Sequence, residues 1–184
     1  MRLRCLSILW FAIWACLVPA LLVCVPSPLA AMQRQQRDVL TDQQTEDLRQ
    51  ADDDPPEKAK LYLGYLEERL SEIHRLNTDP SADRRAAEIH NLFEEFTRLS
   101  DELQDNLDSF EEQHFDLRKA LKLIVEKSEK WPAALNEPKP NPEYEFSRKS
   151  ALEAAQSLYQ DTVKMLDDEN QYFAKLKKDK KKGS

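Results

Sequence analysis

The chain has 184 residues, a third of them charged, and a formal net charge of −7. Gly64 and Gly183 are its only glycines, which excludes a glycine-rich phosphate loop or a nucleophile elbow. All three cysteines (Cys5, Cys16, Cys24) fall near the N-terminus, so the rest of the chain has no disulfides, thiolate metal ligands, thiol catalysis or c-type haem attachment.

Arg2 and Arg4 precede an uncharged run from Cys5 to Gln33 that is almost wholly apolar from Leu6 to Val25. With the small residues Ala30 and Ala31 behind it, this pattern reads as a signal peptide over 1–31. An apolar stretch of about 20 residues can also span a bilayer, so an uncleaved inner-membrane anchor through residues 6–25 is the alternative. The expected location is the bacterial periplasm or the extracellular space. Absent disulfides and an absent Asn-x-Ser/Thr sequon favour a bacterial envelope over a eukaryotic route.

Without residues 1–31 the chain loses two arginines and no acid, and carries −9. Lys175 to Ser184 hold six lysines and one aspartate, which leaves 32–174 at −14. An acidic body argues against nucleic acid as a partner, because phosphate binding needs a basic face.

Residues 32–54 read as a flexible segment with a short helix from Asp42 to Ala51. Thr41 and Gln44 stand at capping-box spacing before it. Three longer helices follow. Asp54-Pro55, Asp79-Pro80 and Asn141-Pro142 each place an Asx cap before a proline at the first helical position. The expected spans are 55–77, 81–130 and 142–180, with a proline-rich loop over 131–142. The first helix carries the stripe Tyr62, Leu63, Leu66, Leu70, Ile73 and Leu76. The third carries Phe146, Leu152, Ala155, Leu158, Tyr159, Met165, Leu166, Tyr172, Phe173 and Leu176. Nothing alternates with period two, so sheet is not expected.

The second helix dominates. Between Pro80 and Pro132 neither glycine nor proline occurs. Apolar residues recur every three or four positions, from Ile89, Leu92, Phe96, Leu99, Leu103, Leu107 and Phe110 to Leu117, Leu121 and Ile124. Unbroken, this helix would be a rod of roughly 72 Å. Two successive steps of four make a stutter near Asp105 to Ser109, where helix propensity is poor. A continuous rod with a weak joint there is the leading expectation. A full break would give a compact four-helix bundle.

The fold class is therefore all-α: an elongated antiparallel, coiled-coil-like bundle of three main helices plus a short N-terminal one. A three-helix section sits at the Pro80 end, with a two-helix arm toward Trp131. Leu, Ile, Val and Phe make up only about 20% of residues 32–184, so the core is a narrow seam. Such a seam favours a homodimer.

Candidate chemistry is sparse. Glu111 and His114 form an E-x-x-H pair, but a di-iron bundle needs two such pairs and two further glutamates. His74 with Glu72, and His90 with Glu94, read as helix surface. So do the acid pairs Glu67-Glu68, Glu94-Glu95 and Asp167-Asp168. No catalytic residue, cofactor or resident metal is assigned.

Lys175, Lys177, Lys178, Lys180, Lys181 and Lys182 form a lysine-rich tail within 175–184 that suits a helix C-terminus and could contact an anionic membrane or an envelope polymer. Trp131 either packs over a helix end or offers an exposed aromatic tip to a protein partner. The expected function is an exported, non-enzymatic structural or protein-interaction module of the bacterial cell envelope. Leu40-Thr41-Asp42-Gln43-Gln44 resembles the LTxxQ motif of small helical chaperones of the bacterial periplasm, over these five residues. That resemblance implies the alternative of a periplasmic chaperone or stress adaptor that binds unfolded clients. A metal-binding four-helix bundle resting on Glu111 and His114 is a further alternative.

Overall fold

A computed structural model describes residues 39–79 and 84–182, with side chains as far as Asp179. The expectations for 1–31, for 32–38 and for a helix start at Pro80-Ser81 lie outside these residues. Every regular element among the described residues is helical, as expected.

Helix α1 (Asp42–Gln50) is closed at its start by the expected reciprocal cap. Thr41 Oγ1 accepts the Gln44 N–H, and Gln44 Oε1 accepts the Thr41 N–H, each at 3.1 Å. Helix α2 (Pro55–Thr78) starts where Asp54 Oδ1 accepts the Glu57 N–H at 3.2 Å. Its whole expected stripe is buried, together with Ala59 and Tyr65.

The long helix is broken, and not where the stutter pointed. Helix α3 (Arg85–Glu112) runs straight through 105–109. Leu103, Leu107 and Phe110 are buried there, and their packing outweighs the weak propensity of Asp105 to Ser109. The break comes at 113–117, before helix α4 (Arg118–Ser128). His114 adopts the left-handed conformation, φ 60°. Its N–H bonds to the Glu111 carbonyl at 2.9 Å, and the Phe115 N–H bonds to the Phe110 carbonyl at 3.2 Å. These are the two bonds of a Schellman stop, with a histidine where glycine is usual. The apolar contact that accompanies the motif is present as the edge-on pair of Phe110 and Phe115, 6.3 Å apart.

Two further expectations are corrected downstream. The proline-rich segment contains a short helix, α5 (Trp131–Leu135), with Pro132 in its first turn, where proline's missing N–H costs nothing. The last helix, α6 (Glu145–Lys182), begins three residues after Pro142. Asn141 Oδ1 accepts the Glu143 N–H at 2.9 Å, which makes a turn and not a cap. The inward set is therefore Ser147, Ala151, Ala155 and Leu158, and Phe146 is left 82% exposed.

The packing follows from the break. α2 and α6 each pack against both α3 and α4, while α3 and α4 lie across the core from one another. α2 and α3 run antiparallel: Arg69 meets Glu95, and Tyr62 lies against Glu102. α6 runs parallel to α3, contrary to the antiparallel expectation. His90 meets Ser147 and His114 meets Tyr172, at sequence offsets that differ by one residue. The physical reason is that α4 and α5 already reverse the chain, so α6 reverses it again. With two neighbours to cover, α3 buries a wider sector than one stripe and adds Phe93 to it. One contiguous core results, crossed by the edge-on pair Phe96 and Trp131 at 5.3 Å.

Candidate interaction surface

The turn at 113–117 and the end of α6 meet at one end of this packed unit. The turn leaves the first N–H groups of α4 in need of acceptors. Leu117, the residue before α4, donates its N–H to Glu169 Oε2 at 3.1 Å, so a carboxylate from α6 caps α4 across 52 residues of sequence. Glu169 is 5% exposed. Burial pushes its carboxyl above the ordinary glutamate range, and the Leu117 N–H only partly opposes that.

Around this cap the aromatic side chains form a chain of contacts. The His114 ring stacks on Tyr172, 5.0 Å apart at 16°. Tyr172 meets Phe173 edge-on at 5.2 Å. The Arg118 guanidinium lies 4.4 Å above the Phe173 ring, within cation–π range. Asp116 grips the same guanidinium through both carboxylate oxygens, at 2.8 and 2.6 Å, which holds the Asp116 carboxyl below the usual range. Phe115, Tyr172 and Leu176 are each more than a third exposed.

Beyond Phe173 α6 outlasts its neighbours. Every residue from Ala174 to Asp179 is exposed. Lys175, Lys177 and Lys178 therefore stand on a projecting helix. Lys180, Lys181 and Lys182 continue that helix, with side chains outside the described residues.

Trp131 is not part of this surface. It is 1% exposed, and its Nε1–H donates to Glu67 Oε1 at 2.6 Å. Of its two expected roles, packing is the one found; an exposed tip is excluded because the indole fills the core against Phe96. Glu111 and His114 do not converge with other ligands: the described residues hold no group of three or more His, Cys, Asp or Glu side chains placed for a metal ion.

Several polar side chains fasten elements to one another, and His74 does so while lying at the surface as expected. His90 Nδ1 lies 2.9 Å from Ser147 Oγ and ties α3 to α6. His74 Nδ1 lies 2.6 Å from Glu137 Oε2. Arg69 gathers three elements: it donates to Glu95 on α3 at 2.8 Å and to the Val39 carbonyl ahead of α1 at 2.7 Å. Gln44, from the LTxxQ-like segment, donates to Glu68 at 2.8 Å, so this segment works here as a strap on α2.

Sequence reasoning missed Glu169, although a signal existed. Leu158, Thr162, Met165 and Glu169 continue the helical spacing of three and four, so an acid occupies a core position. Arg69 gave no such signal, since its partners lie on other elements.

At the opposite end, a recess of about 340 Å³ is lined by Asn77, Arg85, Lys139, Asn141 and Tyr144, among others. No described helix is long and apolar enough to cross a membrane. The chain matches no protein-family model, no curated protein and no solved structure.

Proposed function

We propose that the protein is an exported, non-enzymatic helical module of the bacterial envelope that engages its partner through the end built from the 113–117 turn and the α6 extension. One observation carries this reading. α6 continues past its last buried residue, Glu169, and presents exposed Tyr172 and Leu176 together with a run of lysines. Tyr172 also stacks on His114, whereas Leu176 and the lysines beyond Phe173 stand exposed on the projecting helix, and exposed apolar and cationic groups side by side favour association. The rest of the chain is a carrier: its fasteners at Arg69, Glu169 and Trp131 hold the helices that position this end. Export rests on residues 1–31 as read from the sequence.

Fractionation of bacterial cells producing the full chain, and a chain ended after Phe173, tests both parts. The full chain is expected in the envelope fraction and the shortened one released from it, with helix lost only over the removed part of α6. Retention of the shortened chain would overturn the role of the extension, and recovery of both in the cytosol would overturn export.

A second reading, holding of unfolded clients, draws on the exposed Phe115, Phe146, Tyr172 and Leu176 and on the LTxxQ-like segment. Suppression of aggregation of an unfolded test protein supports it; no suppression at molar excess removes it.

A further inference from the structure

We infer that the end of α6 is an interfacial helix that docks the molecule on an anionic lipid surface. The inference rests on the reading of this end as the working surface, and names its partner.

The arrangement of residues around the helix is the first argument. At about 100° per residue, Tyr172, Leu176 and the part-buried Phe173, which already lies under Arg118, fall in one sector roughly 100° wide, the continuation past the packed unit of the side that α6 buries at Met165 and Glu169. Lys175, Lys177, Lys178, Lys181 and Lys182 fall in the remaining arc. Aromatic and aliphatic residues on one side with lysines on the other is the pattern of a helix lying in a membrane interface. Of the lysines, Lys180 alone has its sequence position within the apolar sector.

The second argument is electrostatic. Lys177 with Lys181, and Lys178 with Lys182, are four residues apart, and Lys175 with Lys178 three apart. Like charges at these spacings destabilise an isolated helix. Asp179 is the only acid between Lys175 and Ser184. An external anionic surface relieves this repulsion. A second copy of the same helix laid alongside would add to it, so self-pairing through the extension is disfavoured.

The third argument is position. Phe115 on the 113–117 turn is 39% exposed, like Leu176, and the ring contacts from Phe110 and Phe115 and from His114 through Tyr172 to Phe173 bring both elements to the same end. An apolar rim with lysines beyond it suits a lipid interface better than an acidic polymer in solution, which would use the lysines and leave the rim in water.

The test is amide hydrogen exchange across 170–184 of the full chain, with phosphatidylcholine vesicles and with vesicles in which a third of the lipid is phosphatidylglycerol. Residues 1–31 are common to every arm, so the local readout isolates the extension. Slowed exchange with the anionic vesicles alone, reversed by high salt, is expected. Replacing Lys175, Lys177 and Lys178 by Gln should weaken the protection on the order of a hundredfold, at about fivefold per lysine. Leu176→Ser should weaken it about tenfold. These residues are exposed and the lysine replacements relieve like-charge repulsion, so helical content should not fall.

Unchanged exchange in anionic vesicles, or equal slowing in both, overturns the proposal. Equal protection by soluble polyglutamate overturns the lipid assignment in favour of an acidic polymer. If the vesicles fail while removal of 174–184 still releases the protein from the envelope, the lipid partner is wrong and the working surface stands.

Discussion

The carboxylate of Glu169 accepts the backbone N–H of Leu117 at 3.1 Å and thereby caps α4 from a helix 52 residues away. A buried acid at a helix N-terminus has two opposed influences. The partial positive charge of the terminus favours the carboxylate. Burial disfavours it, and burial is the larger.

Glu169 therefore titrates above its unfolded value. Between those two values the native state holds a proton that the unfolded state has released. Stability contributed by this group falls as pH rises through that window. Glu169→Gln keeps an oxygen for the Leu117 N–H and removes the titration. Urea unfolding from pH 8 to pH 4 should show the parent gaining on this variant as pH falls through the glutamate range. A constant difference would remove Glu169 as the cause. Glu169→Ala leaves the N–H without its partner and should cost about 1–3 kcal/mol near pH 4, and less as pH rises through the window, because alanine does not titrate either.

His114 bears a backbone strain that glycine would not. The left-handed conformation costs a residue with a Cβ about 1–2 kcal/mol. His114→Gly should be more stable than His114→Ala by about 1 kcal/mol, since both lose the Tyr172 stack and only alanine keeps the strain. Equal denaturation midpoints for the two variants would contradict the Schellman stop.

Arg69 holds the strap. Its side chain is 12% exposed, and the paired Glu95 side chain 17%. Arg69→Met should cost about 1.5–3 kcal/mol, because charged hydrogen bonds to Glu95 and to the Val39 carbonyl are lost together. Amide exchange in 39–50 should quicken more than exchange in the core of α3. A uniform change along the chain would count against the strap.

Gly64 offers a gain. It sits within α2, and a Cβ placed there meets nothing within 4 Å. Gly64→Ala should stabilise the protein by roughly 0.5–1 kcal/mol, through lower backbone entropy in the unfolded chain. Thermal unfolding reads it directly, and a loss of stability would mean that α2 is distorted at this point.

Much of the local structure was legible from residues alone. Thr41 with Gln44 marked α1, and Asp54-Pro55 marked α2, since a cap is made by residues within one turn of each other. The stripe of α2 was buried as spaced. The 113–117 break was not legible, because the residue that turns the chain is a histidine and glycine is the usual marker. Tyr172 and Leu176 were read as apolar stripe and proved half-exposed, because a period does not say where a neighbouring helix stops.

Length, charge and apolar period determined that the chain is helical, that its body is acidic, and that its lysines gather at one end. These are sums and spacings along one strand, and they hold wherever the helices go. The tertiary structure decided the rest: that α3 stops at Glu112, that α6 runs parallel to it, that Trp131 is core, and that Glu169 caps α4. Each of those depends on contacts between residues far apart in sequence. The free energy of such contacts depends on which helices are neighbours, and no period along the chain encodes that choice.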